Sequence, residues 1–345
     1  MDSLFATQTG SCALEHKAEE GKTGVTDAGQ AERFRADVLA EPATLGALLR
    51  AYRGPGSPLE ALGEIRARRV LFLGIGSSRY AAIAAASLLR AHGVDAAVER
   101  TSAAAPTPPS PDTLAVVVSA SGRTPETVEA VERHRGTSRV VAVTNHPERP
   151  LGEAADDVLP LLAGEEAGGV ACKTYQCTLA VLLLLAGRIL GRAVELEPAV
   201  AAAEHIAATR AEWTGPALDV LGGGPVYAVA PDERLSSAEQ SALMLREGPR
   251  IPAGACETGE WLHVDVYLTR RPGYRAILFP GSPFDAAFMS WIEQRGGAVI
   301  LVGRPVPGAA LAVEYPAADD RLVATLVETS VAEHLAAEMW ARSLR

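Results

Sequence analysis

Ser119, Ser121 and Thr124 place three hydroxyls around Gly122, directly after the apolar β-branched run Val116–Val118. Pro125 and Glu126 follow, and proline suits the first turn of a helix because its missing N–H has no partner to lose there. Thr124 belongs to the residue class that caps helix starts. The stretch therefore predicts a strand, a hydroxyl-rich turn and a helix N-terminus, in that order. Free N–H groups and the helix dipole make such a turn an anion site, and Gly122 lets the backbone approach a ligand closely. Three hydroxyls with no carboxylate among them suit a phosphate monoester. An ordinary polar turn is the plain alternative.

The elements around this turn read as an alternation. Phe34, Val38, Leu39, Leu45 and Leu48 recur at helical spacing, interrupted by Glu41-Pro42. Strands are predicted over 70–74, 96–99, 114–118, 140–144 and 158–162, with helices over 79–92, 125–134 and 172–190 between and after them. The pattern restarts with a helix over 200–213, strands over 226–230, 276–279 and 298–302, helices over 238–247 and 284–295, and a closing helix over 321–344. Alternating strands and helices imply parallel sheets covered on both faces. The organisation expected is a disordered tail over 1–30 and two similar α/β halves, 31–192 and 193–345.

Gly74-Ile75-Gly76-Ser77-Ser78 also follows a strand, and in open parallel sheets ligands bind at the C-terminal strand ends. The two polar turns can therefore face one ligand. A dinucleotide reading of the Gly74 turn fails, because Arg79 stands where the fingerprint needs its third glycine.

Composition narrows the classes further. The 345 residues are 48% hydrophobic with few aromatics, so the core must be built from Ala, Val and Leu. A net charge of −10 argues against a nucleic-acid-binding surface. Cys12, Cys172, Cys177 and Cys256 show neither metal-type spacing nor disulfide density, which points to reduced cytosolic thiols and no metal. The most apolar stretch, Leu179–Leu190, is too short to span a bilayer. No secretory signal is visible in the first 25 residues. The expectation is a cytoplasmic protein with no nucleic-acid or membrane partner.

Four segments together resemble the SIS (sugar isomerase) domain family: 74–78, 119–124, 165–173 and 247–263. The resemblance is strongest to the isomerase half of glucosamine-6-phosphate synthase and to single-chain amino-sugar-phosphate deaminases and fructosamine-phosphate deglycases. It covers about residues 34–340 and implies two tandem SIS subdomains, each a parallel sheet between helix layers. By this resemblance Ser119, Ser121 and Thr124 hold a sugar phosphate with their hydroxyls, and Ala120, Ser121 and Gly122 with backbone N–H groups. Ser78 contacts the sugar, and the backbone of Gly169 and Ala171 lines its pocket. Lys173 matches a family lysine at a helix start.

The resemblance puts the chemistry in the second half. Glu247 matches the glutamate that moves a proton between C1 and C2. His263, 16 residues later, matches a histidine that assists ring opening and reaches in from the partner of a dimer. Glu260 would orient His263 or pair with Arg246. Aldose–ketose interconversion needs one base that takes the C2 proton and returns it to C1, and a Glu with a pKa raised by burial suits that work. No cofactor is implied. The chain departs from the synthases in lacking a nucleophilic N-terminal cysteine, in Met244 where they carry a lysine, and in a C-terminus without their lysine. These losses disfavour glutamine use and favour an isomerase, deaminase or deglycase acting on a phosphorylated amino sugar or fructosamine. The alternative is a non-catalytic sugar-phosphate-binding regulatory module.

Overall fold

The computed structural model describes residues 26–344. Most of the expected tail, and Cys12 with it, lies outside that range. Residues 27–30, placed in the tail by the sequence reading, are helical. The first half contains α1 (Asp27–Ala51), α2 (Pro58–Ala61), β1 (Arg69–Gly74), α3 (Ser77–Arg90), β2 (Asp95–Arg100), β3 (Thr113–Val118), α4 (Pro125–His134), β4 (Arg139–Thr144), α5 (Pro150–Ala154), β5 (Asp157–Pro160) and α6 (Lys173–Ile189). The second contains α7 (Pro198–Leu221), β6 (Val226–Ala230), α8 (Leu235–Glu247), β7 (Ala253–Glu257), α9 (Thr258–Trp261), β8 (Arg275–Leu278), α10 (Asp285–Arg295), β9 (Ala298–Val302), β10 (Leu311–Val313), α11 (Arg321–Val327) and α12 (Thr329–Ser343).

Each half forms one five-stranded parallel sheet. The strand orders are β2-β1-β3-β4-β5 and, read from the same edge, β7-β6-β8-β9-β10. The duplication legible as a repeated alternation is thus a repeated topology. Every residue of β3 is buried, as expected for a strand covered on both faces. The halves meet through helices: α3 of the first packs against α8 of the second, and α6 of the first against α11 of the second. Helix α1 packs against α6, α7 and α12, so it belongs to both halves.

Three expectations need correction. Glu41-Pro42 does not interrupt the first helix, which runs unbroken from Asp27 to Ala51. An interior proline costs about 3 kcal/mol. Burial of Phe34, Val38, Leu45 and Leu48 around it contributes about 1.5–3 kcal/mol per side chain and outweighs that cost. The closing helix is two helices, parted at Glu328, whose buried carboxylate pairs with Arg234. Strands β7 and β10 were not foreseen. Sequence Ala253–Glu257 has no β-branched residue, and β10 is three residues long.

Candidate active site

The turn after β3 forms as read. Ser119 Oγ lies 3.3 Å from Thr124 Oγ1 and 3.5 Å from Ser121 Oγ, and Ser121 Oγ lies 3.3 Å from Thr124 Oγ1. The three hydroxyls thus converge on one point. Thr124 sits at the N-cap of α4, but its hydroxyl makes no capping bond and stays with the other two. Gly122 has φ +64°, and a Cβ there would stand 2.9 Å from Thr144 Oγ1, so only glycine fits. Its N–H donates to Ser119 O at 3.1 Å. That N–H therefore closes the turn itself, where the expectation had it facing a ligand. Among the described residues the Ala120 and Ser121 N–H groups donate to no protein acceptor. Arg149 Nη1 donates to Ser121 O at 2.8 Å and fixes the turn from below.

A cavity of about 320 Å³ opens beside this turn. Ile75, Gly76, Ser77 and Ser78 form one wall, at the start of α3. Ala120 forms a second, Gly169 and Ala171 a third, and Leu243 and Glu247 the fourth. Thr174, Tyr175 and Thr178 of α6 complete the lining and were not foreseen. Their signal was available: 174 and 178, like 243 and 247, are one helical turn apart on a shared face. The structure thus brings Ser78, Ala120, Gly169, Ala171 and Glu247 to one cavity, with the hydroxyl triad flanking Ala120.

Glu247 ends α8 at the cavity rim. Loss of hydration raises its carboxyl pKa above the ordinary 4.5, and the Arg246 charge opposes that shift. Among the described residues it makes no ion pair or side-chain hydrogen bond, so its carboxylate is free to accept a proton. Met244, at the position of the synthase lysine, is fully buried and does not line the cavity.

Residues 164–172 are held from outside the cavity. Lys173 is buried and its Nζ binds Asp37 Oδ1 at 2.8 Å and Glu165 O at 2.7 Å. Burial alone would lower this ammonium's pKa, but Asp37 and Glu166 outweigh it and raise the value. Asp37 Oδ2 accepts from Gly168 N at 2.7 Å. Glu166 accepts from the N–H groups of Cys172 and Thr174. Gln240 Nε2 donates to Ala171 O at 2.9 Å, tying the loop to the helix that carries Glu247. Beneath lies a carboxyl pair, Glu41 and Glu333, both fully buried, with pKa values raised by burial and by their nearness to other acids. Lys173 is therefore a positioning group for the Gly169–Ala171 backbone.

His263 and Glu260 lie elsewhere. Both are exposed, in the turn at and after α9, and neither lines the cavity of the same chain. The Glu260 carboxylate pairs with neither His263 nor Arg246 among the described residues, although the His263 backbone N–H donates to Glu260 O at 2.9 Å. The Glu260 N–H bonds Glu257 Oε2 at 2.7 Å, because β7 delivers Glu257 to the start of α9 as a cap. His263 is flanked by exposed Val264, Tyr267 and Leu268.

The second half has a counterpart to the hydroxyl turn, after β8, which occupies β3's place in the strand order. There Gly281 N donates to Asp285 Oδ2 at 2.6 Å. Burial raises the Asp285 carboxyl pKa, while bonds from the Gly281 and Ser282 backbone and the charges of Arg234 and Arg304 lower it. The chain's own carboxylate fills that turn.

Two parallel sheets with matching strand order and a polar cavity at the strand ends define a duplicated doubly wound α/β protein. Residues 65–188 match the SIS domain family model, and the second sheet repeats the topology of the first. It is 30% identical over 213 residues to a glutamine–fructose-6-phosphate aminotransferase (isomerizing) of Zymomonas mobilis, across 55% of this chain and 34% of that protein. The chain thus spans about a third of the length of that relative. Among solved structures it is similar to the C-terminal domain of a glucosamine-fructose-6-phosphate aminotransferase from Francisella tularensis, with TM-score 0.74, 17% identity, and 90% and 95% of the two chains covered. It is also similar to a glucosamine-6-phosphate deaminase from Thermotoga maritima, with TM-score 0.70, 18% identity, and coverage of 90% and 95%. Among the described residues no helix is long and apolar enough to cross a membrane.

Proposed function

We propose that this chain is an enzyme that transfers a proton between C1 and C2 of a phosphorylated amino sugar or fructosamine, with or without loss of the amine. The observation that carries the reading is the unpaired Glu247 carboxylate on the same cavity as Ser78 and the turn bearing three convergent hydroxyls. The phosphate would sit on Ser119, Ser121 and Thr124, with the Ala120 and Ser121 N–H groups as further donors. The sugar would run across the cavity past Ser78 and the Gly169–Ala171 backbone. Glu247 would take the proton from C2 of an aldose-form amino sugar, or from C1 of a fructosamine, leaving an enolamine, and return it to the other carbon to give an imine; where the amine is lost, water adds to that imine and the C–N bond breaks. One carboxyl thus serves as base and then acid, and a pKa raised by burial favours the return of the proton.

His263 of a second copy would handle the proton on the ring or leaving oxygen. Supporting this, Val264, Tyr267, Phe284 and Trp291 are exposed around that turn and on the helix packed beside it, an apolar area of the kind that pairing covers. The second reading is a sugar-phosphate-binding regulatory module. It is favoured by one fact: among the described residues of a single chain, Glu247 is the only acid on the cavity.

Incubation with a panel of sugar phosphates, amino-sugar phosphates and fructosamine phosphates in deuterated water separates these readings. Loss of the C2 proton signal of an aldose-form substrate, or of a C1 proton signal of a ketose or fructosamine, marks the enzyme, and an ammonia assay separates deaminase from isomerase. Saturable binding with no exchange marks the module. Mixing Glu247→Gln and His263→Ala chains tests the shared site. Subunit exchange in a twofold dimer with composite sites restores about a quarter of the wild-type activity. No restoration after exchange overturns the shared site.

A further inference from the structure

We propose that the cleft between α1, α7 and α12, remote from the cavity above, is a second anion site that takes the phosphate group of a small metabolite. The cleft is about 350 Å³ and is lined by Arg35 of α1, Arg210 of α7, and His334, Glu338 and Arg342 of α12. Its charge balance runs against that of the chain. Glu338 is its one carboxylate, with Oε2 on Arg35 at 3.0 Å and Oε1 on Arg342 at 3.1 Å. Both guanidinium groups are thereby held in place, and each has donors left over. Arg210 bonds only a helix carbonyl, Ala207 O at 2.7 Å, and makes no ion pair among the described residues. A protein of net charge −10 thus concentrates a positive surplus in one concave place, which attracts anions.

The floor supplies the second, independent observation. His334 is only 6% exposed, faces this cleft, and makes no hydrogen bond among the described residues. Burial and the charges of Arg210 and Arg35 lower its pKa to about 4, so it sits neutral with an N–H and no acceptor. Trp213 packs edge-on to it with ring centroids 6.0 Å apart, and its buried Nε1–H also lacks a partner. Unpaired buried donors are costly in a native structure and call for an acceptor. The guanidiniums come from three different helices, so their donors converge from separate directions. That geometry suits a tetrahedral oxyanion better than a planar carboxylate, which takes a two-pronged fork from one side.

The test uses the whole chain carrying Ser121→Asp, which blocks the hydroxyl turn, titrated with inorganic phosphate while the His334 ring signals are followed by NMR. Saturable shifts of those signals are expected. Arg210→Gln should weaken phosphate by about tenfold while leaving the thermal midpoint and far-UV spectrum unchanged. Arg210→Lys, which keeps the charge, should recover part of the loss. Absence of saturable His334 shifts, or an unchanged phosphate affinity in Arg210→Gln, overturns the proposal. So does tighter binding of malonate than of phosphate, which would contradict the tetrahedral anion. None of these readouts depends on Glu247 or on turnover, so failure here leaves the proposed reaction standing.

Discussion

The two halves share a strand order and differ at the turn after the middle strand. After β3 the turn carries Ser119, Ser121 and Thr124 and no acid. After β8 it is closed by Asp285, which accepts from Gly281 N at 2.6 Å. Both turns precede a helix and both present N–H groups, so both favour negative charge. In the second half a tethered carboxylate supplies that charge at no cost in translational entropy, and an external anion cannot compete with it. In the first half the turn's own residues supply no such charge, which leaves the place open to an external anion. A binding turn in this fold is therefore recognised by the carboxylate it lacks as much as by the hydroxyls it has.

The largest effect is expected away from both turns, at Glu247. Glu247→Gln should lower turnover by about 10²–10⁴-fold and leave sugar-phosphate affinity within a few-fold. Equal losses of both, by steady-state kinetics and calorimetry, would show that the first-half turn and Glu247 do not divide anchoring from proton transfer. The same residue sets a pH dependence. A base must be ionised, and the Glu247 pKa is raised above 4.5, so kcat/KM should fall as pH drops through a value above the ordinary carboxyl range. An acid limb at or below 4.5 would exclude it as that base.

Next in size, Ser121→Asp gives the first turn the second turn's design. A fixed carboxylate among the hydroxyls should weaken phosphorylated ligands by about 10²-fold or more, since a like charge opposes the phosphate at close range. Ser121→Ala should weaken them by about tenfold, the loss of one charge-assisted hydrogen bond. Unphosphorylated sugars should be spared by both. Loss of the sugars to the same degree would mean that the turn does not hold the phosphate.

The converse change is smaller. Asp285→Ala removes the plug of the second half and should cost about 1–2 kcal/mol of stability, read as a lower denaturant midpoint, with KM unchanged. A raised KM would mean that the second turn also serves the substrate.

The smallest effect concerns α1 and α12, which join the halves. Glu41 and Glu333 have carboxyl pKa values raised above 4.5 in the fold. The folded chain therefore keeps protons there that the unfolded chain releases. Stability from the pair is full below about 4.5 and is lost as pH rises through the folded values. The melting temperature should be lower at pH 8 than at pH 6, and Glu333→Gln should flatten that slope. An unchanged slope in Glu333→Gln would remove the pair as its cause.

What was legible in the sequence was local. Periods of 2 and 3.6 gave most strands and helices, and β9 and α4 match their predicted bounds. The turn at 119–124 could be read because a strand end, three hydroxyls, a glycine and a proline lie within a few consecutive residues. Ala253–Glu257 was not legible as a strand, since its propensity is weak and its place at the sheet edge beside β6 is a tertiary fact. Pro42 read as a break because local rules price only the lost hydrogen bond, whereas α1 is held by side chains from α6, α7 and α12.

By itself the sequence determined the alternating α/β pattern, the doubling of that pattern and the chemistry of the hydroxyl turn, because backbone periodicity and turn geometry depend on near neighbours. Tertiary structure alone decided that Glu247 shares a cavity with Ser78 and Ala120, that Lys173 is sunk against Asp37, and that His263 points away from its own chain's cavity. It also decided that Asp285 bonds the backbone of one turn, whereas three hydroxyls converge at the other. These outcomes turn on burial and on which charges meet across long stretches of chain. Burial and charge pairing act through space, and residue spacing along the chain does not encode them.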